Sequence, residues 1–340
     1  MLASPAGLVK AQHHIDEALA ALYTVKSRTR MDELVIETHA LTKRYGPVLA
    51  VDSLSIEVPR GGVFGLLGPN GSGKTTTMSM LLGLIAPTSG TFRLLGRDTK
   101  SGQQEALRHV GAIAESPAFY PYLSGRMNLQ YFQGIIGHGD SKDIERLLEM
   151  VGLSSRAHSK FSTYSQGMKQ RLGIAYALLG NPDLLFLDEP TNGLDPAGMA
   201  EVRELIRQLS GEGCNVLLSS HLLHEVEQVC DRVAILSRGR LIAQGTIRDL
   251  LRQRGAVRLS TTDDTKAASI MSALPWVTGV TTENGYLMAE APPERSGELT
   301  IALAEQGVAV KEMAPVQVSL ERYFLEVTGD DSTSARGGTP

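Results

Sequence analysis

One stretch limits what this chain can fold into more than any other. Gly68-Pro69-Asn70-Gly71-Ser72-Gly73-Lys74-Thr75 has the spacing G-x-x-x-x-G-K-[ST], follows the apolar run VFGLL and precedes TTTMSMLLGLI. A strand running into a glycine-rich turn and then a helix is the context in which that spacing carries a mechanism. The glycines let backbone N–H groups close around a β-phosphate, and Lys74 balances charge on the β- and γ-phosphates. The Thr75 hydroxyl can then ligate Mg²⁺. A glycine turn with an incidental lysine does not account for both the spacing and the flanking runs.

The surrounding sequence reads as α/β. LVIETHALTKRYG and LSIEVPRGGVFGLLGPNG alternate or cluster β-formers and end in glycine turns. From about Gly102 to Pro182 the pattern is helical, clearest in KDIERLLEMVGL and QRLGIAYALLG. PDLLFLDEP and CNVLLSS are short apolar runs bounded by turn residues, the form of strands buried on both faces of a parallel sheet.

After about Arg254 the texture changes to that of a small α+β domain. AVRLSTT, WVTGVTTENGYLMAEA and GVAVKEMAP read as strands around the helix-like TKAASIMSAL and SGELTIALAEQG, with Asn284-Gly285 as a hairpin turn and VSLERYFLEVTG as a closing helix. The tail DDSTSARGGTP is polar and is expected to be disordered. The expected divisions are an extension over 1–31, a nucleotide-binding domain over 32–248 with a helical subdomain at about 102–182, an accessory domain over 249–328 and the tail over 329–340.

In the extension, Ile15, Leu19, Leu22 and Tyr23 fall at helical spacing ahead of Lys26, Arg28 and Arg30. It lacks the continuous apolar centre of a secretory signal. A membrane-surface helix is one reading; a loosely attached extension, or translation from Met31, is preferred. Composition then removes several classes of function. A net charge of -4 argues against a broad nucleic-acid footprint, so no nucleic-acid partner is expected. Cys214 and Cys230 are too few for a disulfide framework and lack metal-ligand spacing, so they read as reduced thiols of a cytoplasmic protein. No apolar run approaches the ~18 residues of a spanning helix, so any action on a membrane needs a partner.

LLFLDEP puts Asp188 and Glu189 at the end of a buried strand. Asp188 suits the magnesium shell and Glu189 suits a general base on the attacking water. A second anion site is less obvious. Ser165-Gln166-Gly167 opens the helix in STYSQGMKQRLGIAYALLG, and a helix N-terminus beside a glycine can hold an anion. Taken alone, such a start is usually just an N-cap.

With these motifs in this order, the chain resembles the nucleotide-binding subunit of an ATP-binding cassette (ABC) transporter over about residues 33 to 247. The resemblance implies a P-loop NTPase fold of the ABC type with a helical subdomain, and ATP and Mg²⁺ as ligands. It also implies hydrolysis that drives a separate transmembrane permease from the cytoplasmic face of the membrane. Tyr164-Ser165-Gln166-Gly167-Met168 matches the signature loop, usually Leu-Ser-Gly-Gly-Gln, keeping the serine and the second glycine. In the family two cassettes pair head to tail, and the signature helix of one caps the γ-phosphate on the phosphate loop of the other. Ser165, Gln166 and Gly167 would thus complete the site of a second cassette, in a homo- or heterodimer. Tyr45 matches the aromatic that stacks on adenine, and Thr76 continues the phosphate loop. Asp195 matches the loop that reaches across the dimer, and His221 the switch histidine at the γ-phosphate. Glu115 stands where the family usually has a glutamine that senses magnesium and the transmembrane partner.

AESPAFYPYLSGRMNL, YSQGMKQRLGIA and SLERYFLEVTG narrow the resemblance to the drug and peptide-antibiotic export branch of the bacitracin-resistance type. A soluble cassette acting on ribosomes or nucleic acid is the alternative. One phosphate loop and no long insertion weigh against it. Retention of Lys74, Asp188, Glu189 and His221 weighs against a subunit that binds without hydrolysing. Because a carboxylate can also ligate Mg²⁺, Glu115→Gln is expected to preserve ATP use while shifting its magnesium dependence and its stimulation by the partner. A magnesium titration of the ATPase rate, with and without that partner, checks this.

Overall fold

A computed structural model describes residues 34–98, 102–114, 118–137, 141–252, 255–283, 285–316, 319–321 and 323–325. The extension, Glu115, Asn284 and the tail lie outside them.

The described part begins with antiparallel strands Leu34–Tyr45 (β1), Val48–Leu54 (β2) and Glu57–Pro59 (β3), then enters Val63–Leu67 (β4) and helix Lys74–Leu81 (α1). Ser89–Leu94 (β5) and Arg97–Asp98 (β6) return to β1, giving a five-stranded sheet of order β2-β1-β5-β6 with β3 on β1. Helix Gln103–Leu107 (α2) leads to strand Val110–Ile113 (β7) and then to helices Gly125–Ile136 (α3), Ser141–Met150 (α4) and Gln166–Ala177 (α5). Leu184–Asp188 (β8), helix Pro196–Gly211 (α6), Asn215–Ser220 (β9), helix Leu223–Val229 (α7), Arg232–Ser237 (β10), Arg240–Thr246 (β11) and helix Ile247–Arg252 (α8) complete this part. The six-stranded sheet has the order β11-β10-β4-β9-β8-β7, parallel except for the β10–β11 hairpin.

Because side chains alternate across a strand, each apolar run supplies two cores at once. Val63, Leu67, Leu185, Leu187, Val216 and Leu218 enter the core on the side of α3 to α7. Phe64, Leu66, Leu184, Phe186 and Leu217 enter the core shared with α1 and the antiparallel sheet. Continuous apolar sequence is therefore required here, and it sets the facing of the polar residues at the strand ends. Asp188 keeps the parity of Leu184 and Phe186, and Ser219 that of Leu217, so both lie on the α1 side.

The helical expectation for 102–182 needs one correction. Val110–Ile113 is a strand that pairs in parallel with β8 at the edge of the main sheet. Four residues are too short to show a period, and only pairing with Leu184–Leu187 distinguishes them from a helical turn. The helices after it form a unit locked by aromatic edges. Phe119 meets Phe161 at 5.0 Å and Phe132 meets Tyr176 at 4.9 Å between centroids.

The last part consists of Ala256–Thr261 (β12), helix Asp264–Ser272 (α9), Gly279–Glu283 (β13), Tyr286–Glu290 (β14), helix Ser296–Glu305 (α10) and Val310–Val316 (β15). Its antiparallel sheet runs β13-β14-β12-β15 and packs Val257, Leu259, Leu287 and Ala289 against Met271, Leu299 and Leu303. The chain then returns to the first part. Leu320 is fully buried in the same core cluster as Val226 and Val229 of α7, and its N–H donates to Glu227 Oε2 at 3.2 Å. Tyr323 joins that cluster. Leu320→Ala is expected to cost about 2–5 kcal/mol of packing and to loosen the last part from the first. Calorimetry should then resolve a lower-melting transition separate from that of the nucleotide-binding part.

Candidate nucleotide site

β4 ends at Leu67, where the chain turns through Gly68. A side chain at Gly68 would collide with the Leu236 carbonyl oxygen and the Ser72 hydroxyl. Gly73 adopts φ 100°, ψ 4°, and a Cβ there would lie 2.7 Å from the Ala50 carbonyl oxygen. The loop is thus pressed between β2 and the β10–β11 turn, where Gly239 N–H donates to Ser72 O at 3.1 Å. Within the loop, Ser72 N–H donates to Pro69 O at 3.1 Å. No side chain caps the N-terminus of α1, so its first N–H groups are left for an anion. The Ser72 hydroxyl oxygen is buried with no hydrogen-bond partner among the described residues. Pro69, Asn70, Gly71 and Thr75 are exposed, and Thr76 is half-buried.

Lys74 is 5% exposed, and its ammonium is held inside the loop. Nζ donates to Gly68 O at 2.8 Å and Pro69 O at 3.3 Å, and lies 3.5 Å from Glu189 Oε1. Glu189 Oε2 lies 2.8 Å from His221 Nδ1 and accepts the His221 N–H at 3.4 Å. One carboxylate thus stands between an ammonium and an imidazole, with an oxygen toward each. Glu189 reaches this place with φ at 47°, a left-handed conformation costly for a residue with a Cβ.

Asp188 lies directly opposite Ser219 in the parallel register of β8 and β9. The buried Ser219 hydroxyl donates to Asp188 Oδ1 and accepts the Glu189 N–H at 3.0 Å. Sequence reasoning missed Ser219. No sequence signal marked it: it is the first of two serines that end the run NVLLSS.

The fold therefore brings together Gly68 to Thr76, Asp188, Glu189 and His221, from the ends of β4, β8 and β9. Tyr45 stands at the end of β1, half exposed, with Lys43 Nζ 5.0 Å from its ring centre. Ser165 is the exposed N-cap of α5, its hydroxyl accepting Met168 N–H at 3.3 Å; Gln166 is exposed and Gly167 half-buried. Asp195 likewise caps α6, accepting Gly198 N–H at 3.2 Å ahead of Pro196. A side chain at Gly167 would come within 3.8 Å of Gly198 Cα, so the starts of α5 and α6 are neighbours. Among the described residues, no hydrogen bond or ion pair joins Ser165–Gly167 or Asp195 to the phosphate loop of the same chain. Glu115 lies outside them.

A phosphate loop at the end of a buried parallel strand, facing an acid pair two strands away, defines a P-loop nucleotide-binding protein. Comparison with known proteins sharpens this. Residues 51–192 match the family description "ABC transporter". A bacitracin transport ATP-binding protein of Enterococcus faecalis is 40% identical over 87% of this chain and 97% of its own length. A daunorubicin resistance ATP-binding protein of Streptomyces coeruleorubidus is 35% identical over 88% of this chain and 98% of its own. The solved structure of an ATP-binding subunit of an ABC transporter superposes with a TM-score of 0.58 at 32% identity, covering 64% of this chain and 92% of that one. The chain belongs to the ATP-binding subunits of ABC transporters. Such subunits bind ATP, dimerise and work with a transmembrane permease, and no helix among the described residues is long and apolar enough to span a membrane.

Gly68→Ala forces a methyl group into the Leu236 carbonyl and the Ser72 hydroxyl. It is expected to weaken ATP binding at least tenfold, about 1.4 kcal/mol or more, while the C-terminal part stays folded. Equilibrium binding of a fluorescent ATP analogue, alongside circular dichroism, measures both.

Proposed function

We propose that this chain is the motor subunit of an exporter of drugs, antibiotics or peptides. It would act at the cytoplasmic face of the membrane on a separate permease, with a second cassette, identical or not, completing each ATP site. The observation that carries this reading is the convergence of Lys74, Glu189 and His221 at one end of the main sheet, with Asp188 beside them. The names of relatives that transport bacitracin or resist daunorubicin support the class of cargo.

In this reading Lys74 exchanges its contact with Glu189 for the β- and γ-phosphate oxygens of ATP. Glu189, released on that side, takes a proton from the attacking water as its oxygen bonds to the γ-phosphorus and the bond to the β,γ-bridging oxygen breaks, giving ADP and phosphate. His221 contacts the γ-phosphate and holds Glu189 at its other oxygen. The Thr75 hydroxyl and Asp188 are the groups that would hold Mg²⁺. The exposed Thr75, the orphaned Ser72 hydroxyl and the hard oxygen donors suit Mg·ATP. Bound there, Mg²⁺ would neutralise phosphate charge. Tyr45 receives the adenine on the ring face away from Lys43. Ser165, Gln166, Gly167 and Asp195, exposed or half-exposed at two adjacent helix starts, face the ATP of the second cassette. The exposed Tyr122, Met127, Tyr131 and Ile135 give the helical subdomain an apolar face suited to the permease.

Isolation from the native membrane in mild detergent is expected to recover a multi-spanning protein together with Mg²⁺-dependent ATPase activity. Glu189→Gln should still bind ATP and dimerise, yet lose turnover by about 10²-fold or more. Rapid turnover in that variant would remove Glu189 as the base. Recovery of ribosomal proteins or nucleic acid in place of a membrane protein would overturn the transport role.

A further inference from the structure

Ser219 is a polar side chain with no exposure to solvent. It shares a strand face with Leu217, and its neighbour Leu218 packs into the opposite core. Its hydroxyl nevertheless serves both members of the acid pair through different atoms. It donates its single proton to Asp188 Oδ1 and accepts the Glu189 N–H at 3.0 Å. Because a hydroxyl has one donor and two acceptor sites, donation in one direction turns a lone pair toward the other partner. Asp188 Oδ2 makes no hydrogen bond or ion pair with a described residue, so the carboxylate is held by one oxygen and open at the other. The Glu189 N–H bond anchors a residue whose φ of 47° would relax if released.

We propose that Ser219 is a positioning residue for ATP hydrolysis: it fixes one oxygen of Asp188 and the peptide of Glu189, so that the free Asp188 oxygen faces the magnesium of Mg·ATP and Glu189 stays aimed at the attacking water. The proposal rests on the hydrolytic reading above. It also accounts for a fully buried hydroxyl on the strand face of Leu217: alanine there would leave a buried carboxylate oxygen and a strained peptide N–H unmatched at once. Groups that orient metal-binding side chains typically affect metal affinity about 10–100-fold, and Ser219 is connected to Asp188 in that way.

The test uses the full-length protein and trinitrophenyl-ATP as fluorescent probe, titrated with Mg²⁺ and separately in EDTA. Ser219→Ala is expected to raise the Mg²⁺ concentration at half-maximal nucleotide binding by about tenfold and to lower kcat, with binding in EDTA and KM at saturating Mg²⁺ unchanged. Ser219→Thr, which keeps the hydroxyl, should bring the Mg²⁺ midpoint back toward that of the wild type. Ser220→Ala is the control. It removes a buried hydroxyl from the same strand, one that accepts Leu222 N–H at 3.0 Å, and should leave the midpoint in place. If Ser219→Ala does not fold by thermal melting, Ser219→Cys, nearly isosteric but a poor hydrogen-bond donor, is read in its place. A folded variant with the wild-type midpoint, or an equal shift in Ser220→Ala, overturns the proposal alone. A wild-type protein with no Mg²⁺-dependent nucleotide binding overturns the hydrolytic reading together with it.

Discussion

Parallel pairing of three buried strands is the constraint on which everything else depends. β4, β9 and β8 are neighbours, and their register places Leu67 beside Ser220 and Asp188 beside Ser219. Parallel strands end at the same edge of a sheet, so the phosphate loop, the acid pair and His221 emerge together although more than a hundred residues separate Lys74 from Glu189. The hydrogen-bond ladder sets the separation of these ends, and the two cores that grip alternate side chains set their rotation. A slip of one residue in β8 would turn Asp188 into the helical core, because side-chain parity would invert.

Around that edge, charge is balanced locally. The Lys74 ammonium is buried, yet two carbonyls and one carboxylate oxygen surround it. The other oxygen of that carboxylate meets His221. In the proposed reaction a phosphate arriving at Lys74 would take over the anionic contact that Glu189 supplies. The left-handed backbone at Glu189 is kept by the ladder on one side and by the Ser219 hydroxyl on the other. The Cys230 thiol, buried beneath the same sheet, is pushed well above its ordinary pKa by loss of water. Cys214 is raised to about 11, chiefly for the same reason. Neither thiol has the thiolate character that reactivity needs.

The helix after His221 links the phosphate-loop edge of the sheet to the rest of the molecule. Arg203 of α6 pairs with Glu225 of α7 at 2.5 Å, and Arg207 donates to the Gln228 carbonyl, so the helix behind Asp195 is tied to the helix behind His221 at two points. On the other side of α7, Glu227 receives the N–H of Leu320 from the end of the C-terminal part. The small antiparallel sheet and its two helices are thus fastened to the helix that follows His221, with their own core kept separate.

The sequence by itself determined the local chemistry and the kind of each long element. Glycine spacing fixed the phosphate loop, unbroken apolar runs fixed β4, β8 and β9, and Asp188-Glu189 at the end of one run fixed where acid would stand. These are short-range properties, carried by backbone freedom and hydrophobic pattern within a few residues. Tertiary structure alone decided what depends on pairing. VGAI at 110–113 became a strand because β8 offered it a free edge, and its own four residues held no period to reveal that. The order β13-β14-β12-β15 and the docking of Leu320 on the cassette came from burial between segments far apart in the chain. Ser219 was silent in the sequence for the same reason: a serine at the end of an apolar run acquires its role only when the register places Asp188 beside it. Local composition sets what a residue can do, whereas long-range register decides what it does it to.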